Sequence, residues 1–395
     1  MTEGLDVVGR EDEDAAPQDP MPPALRLVVL IAVGLIAVAV LTRTDLLSSD
    51  RTDSSELPAP SPSVSRPTTT SNLVLGPPRP VARWNDALAV GLPDGVRANR
   101  PVPSVLDEDS DLVAVDPLPE PGAARASLVG VGDGTLVRVD VRSGESTGLG
   151  DATAVVDAAA GPGRVLVLRG DRLLEVDVRD GRTTDDNPFP GFDAGRWLAH
   201  GVVRTQGTGA LLMSRTDDES RLAVAWPGSL VRTAQHPEVT DLPVEGRLLG
   251  IAGDWVLVLS ETCPGEDCVL RTVQVAPDGI DIGEVASPTG WTFTDGPIAG
   301  NPPGVLVPVR SVEGVGFALA RLVTRFDQPV VLPGSHSVLL RAGLADGPDG
   351  TVYLLAGQPF ANPEVLVWDP TVPYTVVRLY TFRVGSGARL VCVCG

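Results

Sequence analysis

Two cysteines, Cys263 and Cys268, enclose a Pro-Gly-Glu-Asp turn at the facing ends of two aliphatic runs, 256–260 and 269–275. That spacing predicts a hairpin whose arms bring the two thiols together, and the chemistry expected of them is oxidation to a disulfide. A loop this small adds about 2 kcal/mol in the chain-entropy model. The bond also suits an oxidising, exterior compartment. Cys392 and Cys394 lie two apart on one face of a strand, where a bridge requires local distortion of the backbone. Four cysteines permit three pairings, and a metal site pooling all four departs from zinc-ribbon spacing.

The remaining reactive groups are scattered. His200, His236 and His336 stand alone, with no His-Glu-x-x-His pair, and read as loop or core histidines. No Gly-x-Ser-x-Gly elbow is present. Gly130, Gly132 and Gly134 imitate a dinucleotide loop, but Thr135 occupies the sixth position and a strand pattern follows, so the stretch reads as a hairpin turn. Asp107, Asp109 and Asp111 match the first half of a calcium loop; Leu112 and Leu118 then stand where Gly and the bidentate Glu belong, which leaves a solvated loop. Asp217, Asp218 and Glu219 are the densest loop acids and read as a surface run. No residue is therefore assigned a catalytic, cofactor-binding or metal-ligating role.

Charge narrows the partners. The chain carries 51 acids against 31 bases, a formal charge of −20, which repels phosphate backbones and argues against nucleic-acid binding. Every base is arginine. This resembles the coding bias of GC-rich, actinobacterial genomes, and it rules out a Walker-type phosphate loop, a Schiff-base lysine and a Ser-x-x-Lys nucleophile. Of six tryptophans, Trp255 and Trp368 sit in or beside aliphatic strands and are expected in the core. Trp84, Trp197, Trp226 and Trp291 lie near Gly or Pro and are expected nearer the surface. Aromatics total only 4%, which weighs against a carbohydrate-binding specialist.

Four regions position these groups. Residues 1–23 carry seven acids and one arginine and are expected to form a disordered cytoplasmic tail. An apolar run, from Leu27 through Gly34 to Leu41, is too short by itself to span a bilayer. Extended to 24–42, with Arg26 snorkelling, it spans about 28 Å of the ~30 Å hydrocarbon core. This predicts one transmembrane helix; a cleaved signal peptide is the competing reading. Arg10 and Arg26 against Arg43 and Arg51 give almost no orientation bias, so an extracytoplasmic C-terminal part rests on the cysteines and on the segment that follows the helix. In that segment, 43–80, Pro, Ser and Thr supply 20 of 38 residues, a semi-rigid linker without a core.

Residues 81–395 show short aliphatic runs, Gly and Pro punctuation and no sustained helical period, which predicts an all-β domain. A shift of 37 places lays 128–147 over 165–184, matching Val139 to Val176, Asp140 to Asp177 and Gly144 to Gly181. Weaker copies start at 210, 256, 305 and 352, spacings close to the ~40 to 50 residues of a propeller blade. Seven blades are expected, with six as the alternative. The seventh would combine strands near 87–90 and 112–115 with the last strand, 389–393, so that no sheet edge is left open at the seam.

The segments 136–145 (LVRVDVRSGE) and 173–182 (LLEVDVRDGR) resemble the strand–turn motif of the quinoprotein-like and YVTN-type β-propeller repeats. The resemblance implies a wheel of blades around a central channel and carries no activity. The quinoprotein branch would add a redox cofactor, but its repeats hold a packing Trp just beyond the turn, where this chain has Glu145, Ser146 and Thr147 or Arg182, Thr183 and Thr184. No cofactor is therefore expected. The resulting expectation is a single-pass, membrane-anchored, extracytoplasmic β-propeller that binds a protein or envelope component without catalysis. The alternative is a cell-wall polymer hydrolase or lyase with carboxylates at the channel mouth.

Overall fold

Aliphatic runs bounded by Gly, Asp and Pro become strands throughout residues 79–394, the part of the chain that the computed structural model describes, with breaks in several connections, the longest at 116–126, 336–343 and 378–387. These residues all fall within the unit Thr69–Gly395. The expected tail 1–23, the membrane helix 24–42 with Leu27, Gly34 and Leu41, and the linker up to residue 78 lie outside the described residues, as do His336, Asp107, Asp109 and Asp111. Among the described residues no helix is long and apolar enough to cross a membrane. The helix described there is one short turn, α1 (Gly228–Arg232).

The strands form seven four-stranded antiparallel sheets among the described residues. The chain begins with β1 (Arg79–Trp84), β2 (Ala87–Gly91) and β3 (Arg97–Pro101), then lays down a complete sheet from β4 (Val113–Val115), β5 (Ser127–Gly132), β6 (Thr135–Asp140) and β7 (Ser146–Asp151). The next comprises β8 (Ala154–Ala158), β9 (Arg164–Arg169), β10 (Arg172–Asp177) and β11 (Thr183–Asp185). It is followed by β12 (Trp197–Thr205), β13 (Thr208–Arg215), β14 (Arg221–Ala225) and β15 (Val239–Glu245). A further sheet holds β16 (Arg247–Ala252), β17 (Trp255–Leu259), β18 (Val269–Ala276) and β19 (Gly279–Ala286). After it come β20 (Trp291–Phe293), β21 (Val305–Ser311), β22 (Phe317–Leu322) and β23 (Val330–Val331), then β24 (Leu344–Asp346), β25 (Val352–Ala356), β26 (Glu364–Trp368) and β27 (Val376–Val377). Finally β28 (Arg389–Cys394) pairs antiparallel with β1 and completes the first sheet in the order β28-β1-β2-β3.

Edge strands of successive sheets touch in order: β28 with β4, β4 with β8, β8 with β12, β12 with β16, and β24 with β28. This is a β-propeller-type architecture. The sequence repeat marks its phase, because the six copies begin at or within two residues of the second strand of each of six sheets, from β5 to β25. One element is placed differently from expectation. Residues 113–115 belong to the sheet of β5, and the strand that joins β28 and β2 is β1, whose first residues, Arg79 and Pro80, fall inside the expected linker.

The cores lie between neighbouring sheets. Every residue of β17 is buried, and alternation sends its two faces to different neighbours: Val256 and Val258 pack with Val224 and Leu212, while Leu257 and Leu259 pack with Val307 and Ala320. A strand buried on both faces reads as an unbroken aliphatic run, which is why period-2 alternation is faint in this chain. Removing one such side chain, as in Leu257→Ala, leaves a cavity and costs about 2–5 kcal/mol.

The turns follow the repeat. Asp133 and Gly134 both take positive φ, 49° and 74°, and join β5 to β6 in a two-residue hairpin that pairs Gly132 with Thr135. Gly144 and Gly181 adopt φ of 75° and 76° at equivalent turns. There the Asp140 Oδ1 accepts the Ser143 N–H at 2.9 Å, and the Asp177 Oδ1 accepts the Arg179 N–H at 2.8 Å. The repeated aspartate is thus a turn cap. Arg179 also hydrogen-bonds the Asp177 carboxylate and holds it below the usual carboxylate range against the opposing effect of burial.

Candidate functional site: two clefts flanking a disulfide hairpin

Cys263 and Cys268 are joined by a disulfide, with Cα atoms 4.6 Å apart, in the hairpin between β17 and β18, as the spacing predicts. Cys392 is also disulfide-bonded, so none of these three sulfurs is a thiolate metal ligand. Among the described residues no group of three or more His, Cys, Asp or Glu is placed to hold a metal ion.

The disulfide loop is anchored to the next sheet. Thr292 of β20 uses its hydroxyl to accept the Gly265 N–H at 3.1 Å and to donate to the Gly265 carbonyl at 3.0 Å. Within the loop, the Thr262 hydroxyl donates to the Asp267 carbonyl at 2.9 Å, and the Cys268 N–H donates to Gly265 at 3.2 Å. Ser287 donates to the Cys268 carbonyl at 3.0 Å. Cys268 is buried, whereas Glu266 and Asp267 are exposed. A short loop with this many bonds has its backbone held in a narrow range of positions.

One cleft, of about 540 Å³, lies on the Cys263 side between the sheets of β12 and β16. His200, Glu219, Arg247 and Ser260 line it. His200 is there because of a β-bulge: register shifts between Ala199 and Gly201, leaving His200 opposite no partner. Its Nε2 lies 2.7 Å from the hydroxyl of Ser214. Burial pushes the His200 pKa below the ordinary range, and the Glu219 carboxylate acts in the opposite direction. The imidazole is therefore neutral at pH 7. Ser214 is 0% exposed, so it is out of a substrate's reach and the pair does not work as nucleophile and base. What the cleft offers is hydrogen bonding beside charges of both signs. Arg247 is already paired with Asp295 at 2.8 Å.

The acidic run divides here. Asp217 pairs with Arg215 at 2.8 Å and Asp218 with Arg221 at 3.3 Å, while Glu219 lines the cleft. His236 is elsewhere, stacked on Trp226 with ring centroids 4.5 Å apart. Nothing in the sequence joins His200 to Glu219, because only the pairing of β12 with β13 and the following turn bring them together.

The second cleft, of about 470 Å³, lies on the Cys268 side. Glu266, Asp267, Pro288, Trp291 and Val312 line it. Trp291 is half-buried, as its Gly-rich surroundings suggest, and Val312 is exposed. Trp197 and Trp226 are buried, against expectation, because each packs into an intersheet core. Trp255 and Trp368 are core residues as expected.

No family model matches the chain, and no curated protein matches it. Among solved structures, it is similar to an oligogalacturonate lyase in complex with manganese, at 12% identity and a TM-score of 0.46, over 79% of this chain and 88% of that one. The β-propeller domain of Swd1 from Myceliophteria thermophila is similar at 13% identity and a TM-score of 0.38, over 70% and 92%. Kluyveromyces lactis Hsv2 is similar at 12% identity and a TM-score of 0.39, over 79% and 98%. Likeness at this level carries nothing about activity.

Proposed function

We propose that this chain is a membrane-anchored, extracytoplasmic β-propeller of seven blades that binds a protein or cell-envelope component through the face carrying the disulfide hairpin. The observation that carries this reading is the disulfide-locked loop with a cleft on each side, a rigid and chemically varied surface of the kind that binding modules present. Seven sheets, five neighbouring pairs of which touch through their first strands, and the closure of β28 on β1 support the blade count. Bonded cysteines support an oxidising exterior, and the apolar run 27–41 supports an anchor. Large apolar side chains left exposed at Val312, Phe317, Val323, Phe326 and Val330, all on or beside the sheet of β21 and β22, support a macromolecular partner.

Crosslinking of the full-length chain in intact membranes, followed by capture and identification of what is attached, tests the reading. A specific partner whose attachment is lost when the hairpin 260–269 is replaced by a minimal turn is expected. Recovery of nothing beyond abundant background proteins would overturn it. A reporter active only outside the membrane, fused after residue 395, is expected to be active.

A further inference from the structure

The disulfide between Cys263 and Cys268 presents its two sulfurs unequally. Cys263 is half-buried and lines the cleft of about 540 Å³ that it shares with His200 and Glu219. Cys268 is 2% exposed and packs in the core with Leu257 and Val307. A thiolate opens a disulfide at a sulfur it can reach, so approach is directed to Cys263. The bond closes a loop of only six residues, and the chain entropy that a crosslink removes shrinks with loop length, so the fold depends little on it. The bonds that dock the loop involve no sulfur: they join Gly265 to Thr292, Thr262 to Asp267 and Ser287 to the Cys268 carbonyl. They remain available when the disulfide opens.

Each sulfur also has a neighbour suited to the reduced state. The Phe293 carbonyl lies 3.8 Å from the Cys268 Sγ, and the Val269 carbonyl lies 3.7 Å from the Cys263 Sγ. A disulfide sulfur carries no hydrogen, whereas in the dithiol each S–H can donate to the carbonyl beside it. The Ser260 hydroxyl, 3.4 Å from the Cys263 Sγ, can donate to that sulfur in either state. Burying the Cys268 thiol therefore leaves no donor unsatisfied.

We propose that the Cys263–Cys268 bond is a thiol–disulfide exchange site, opened at Cys263 through the His200 cleft by a dithiol polypeptide carrying a Cys-x-x-Cys pair. The attacking thiolate forms a bond to the Cys263 Sγ, the Cys263–Cys268 bond breaks, and its electron pair leaves on the Cys268 sulfur, which takes up a proton. The second thiol of the pair then attacks its own partner sulfur in the mixed disulfide and frees Cys263 as a thiol. The hairpin gains two electrons and two protons, and the Cys-x-x-Cys pair is oxidised to a disulfide. This activity does not depend on the binding-module reading above.

The test uses the full-length chain in mild detergent, with the single-thiol peptide acetyl-Cys-Gly-Pro-Ser-amide to trap the mixed disulfide and the dithiol acetyl-Cys-Gly-Pro-Cys-amide to complete the exchange. Cleavage after Glu266 separates the two cysteines for mass spectrometry. In native buffer the peptide should be found on Cys263 at least tenfold more often than on Cys268, and in urea on both about equally. The dithiol peptide should reduce the hairpin with the strand circular dichroism unchanged, and oxidised glutathione should restore the bond. Because the exposed Glu219 and Glu261 carboxylates at the cleft repel an incoming thiolate, Glu219→Gln/Glu261→Gln should speed the exchange several-fold at low ionic strength and less as salt is added. The remote Asp186→Asn should change nothing. Attachment to Cys268 or equally to both in native buffer, no attachment without urea, loss of the strand signal on reduction, or an unchanged rate in the double variant would each overturn the proposal. Failure of the exchange while membrane crosslinking still captures a partner through the hairpin would leave the binding-module reading standing.

Discussion

The Asp157 Oδ2 accepts the backbone N–H of Val202 at 2.7 Å, so a side chain on β8 satisfies an amide at the bulge of β12 in the neighbouring sheet. The close approach depends on Gly201, between His200 and Val202, where an added Cβ would lie 3.1 Å from the same Oδ2 and from the Ile251 side chain. First strands of three consecutive sheets carry a bulge at this level, at Val156, His200 and Leu249.

Asp157→Ala should therefore loosen the seam between two sheets. Losing a charged acceptor to a partly buried amide costs about 1–3 kcal/mol. Urea unfolding of the variant should show that loss as a lower midpoint with an unchanged slope. An unaltered midpoint would show the bond to be dispensable.

Two glycines with nearly the same φ should respond differently to alanine. Gly134 (φ 74°) has nothing within 4 Å of an added Cβ, so Gly134→Ala carries only the left-handed backbone penalty, roughly 1–2 kcal/mol. At Gly181 (φ 76°) the Cβ would run into the Leu149 carbonyl of the preceding sheet. Gly181→Ala should exceed the first by about 2 kcal/mol or more, since overpacking is added to strain. Thermal denaturation of both variants, compared side by side, measures the gap.

Replacing both hairpin cysteines, Cys263→Ser with Cys268→Ser, should lower stability by about 2 kcal/mol in the chain-entropy model. The two hydrogen bonds between the Gly265 backbone and the Thr292 hydroxyl remain available, so the loop should fray without the sheets coming apart. Amide hydrogen exchange is expected to quicken at 263–268 and to stay unchanged in β17. Uniform acceleration across the sheet would contradict a local role.

His200 gives the fold a pH dependence of definite sign. Its folded-state pKa lies below the ordinary value because burial disfavours the cation. The unfolded chain thus binds a proton that the folded chain does not, and stability falls as pH drops from about 6.5 toward the folded pKa. His200→Gln should flatten that part of the stability curve, and NMR titration of the imidazole should give a midpoint below 6.5. A midpoint above it would mean that the Glu219 carboxylate outweighs burial.

Strand-forming runs, turn glycines and the hairpin disulfide were legible in the sequence, because each depends on residues within about ten positions of one another. Leu136 to Gly144 and Leu173 to Gly181 even carry the same Asp cap and the same positive-φ turn. Assignment of 113–115 to a sheet was not legible, since short aliphatic strands are interchangeable until their partners are known. The two clefts were hidden for a related reason. Glu219 looks like Asp217 and Asp218 in sequence, and only sheet pairing leaves it facing His200; Trp291 gains its carboxylate neighbours only when the disulfide loop docks on Thr292.

The pairing of β28 with β1 also sets an order of events. The other six sheets are contiguous in sequence and can zip up as each emerges from the ribosome, whereas this one waits for the final strand to be synthesised. Until then β1 is a bare template. A nascent chain stalled or clipped before residue 389 would leave that template open to the β28 of another copy, which makes strand exchange between molecules the characteristic way for this architecture to fail.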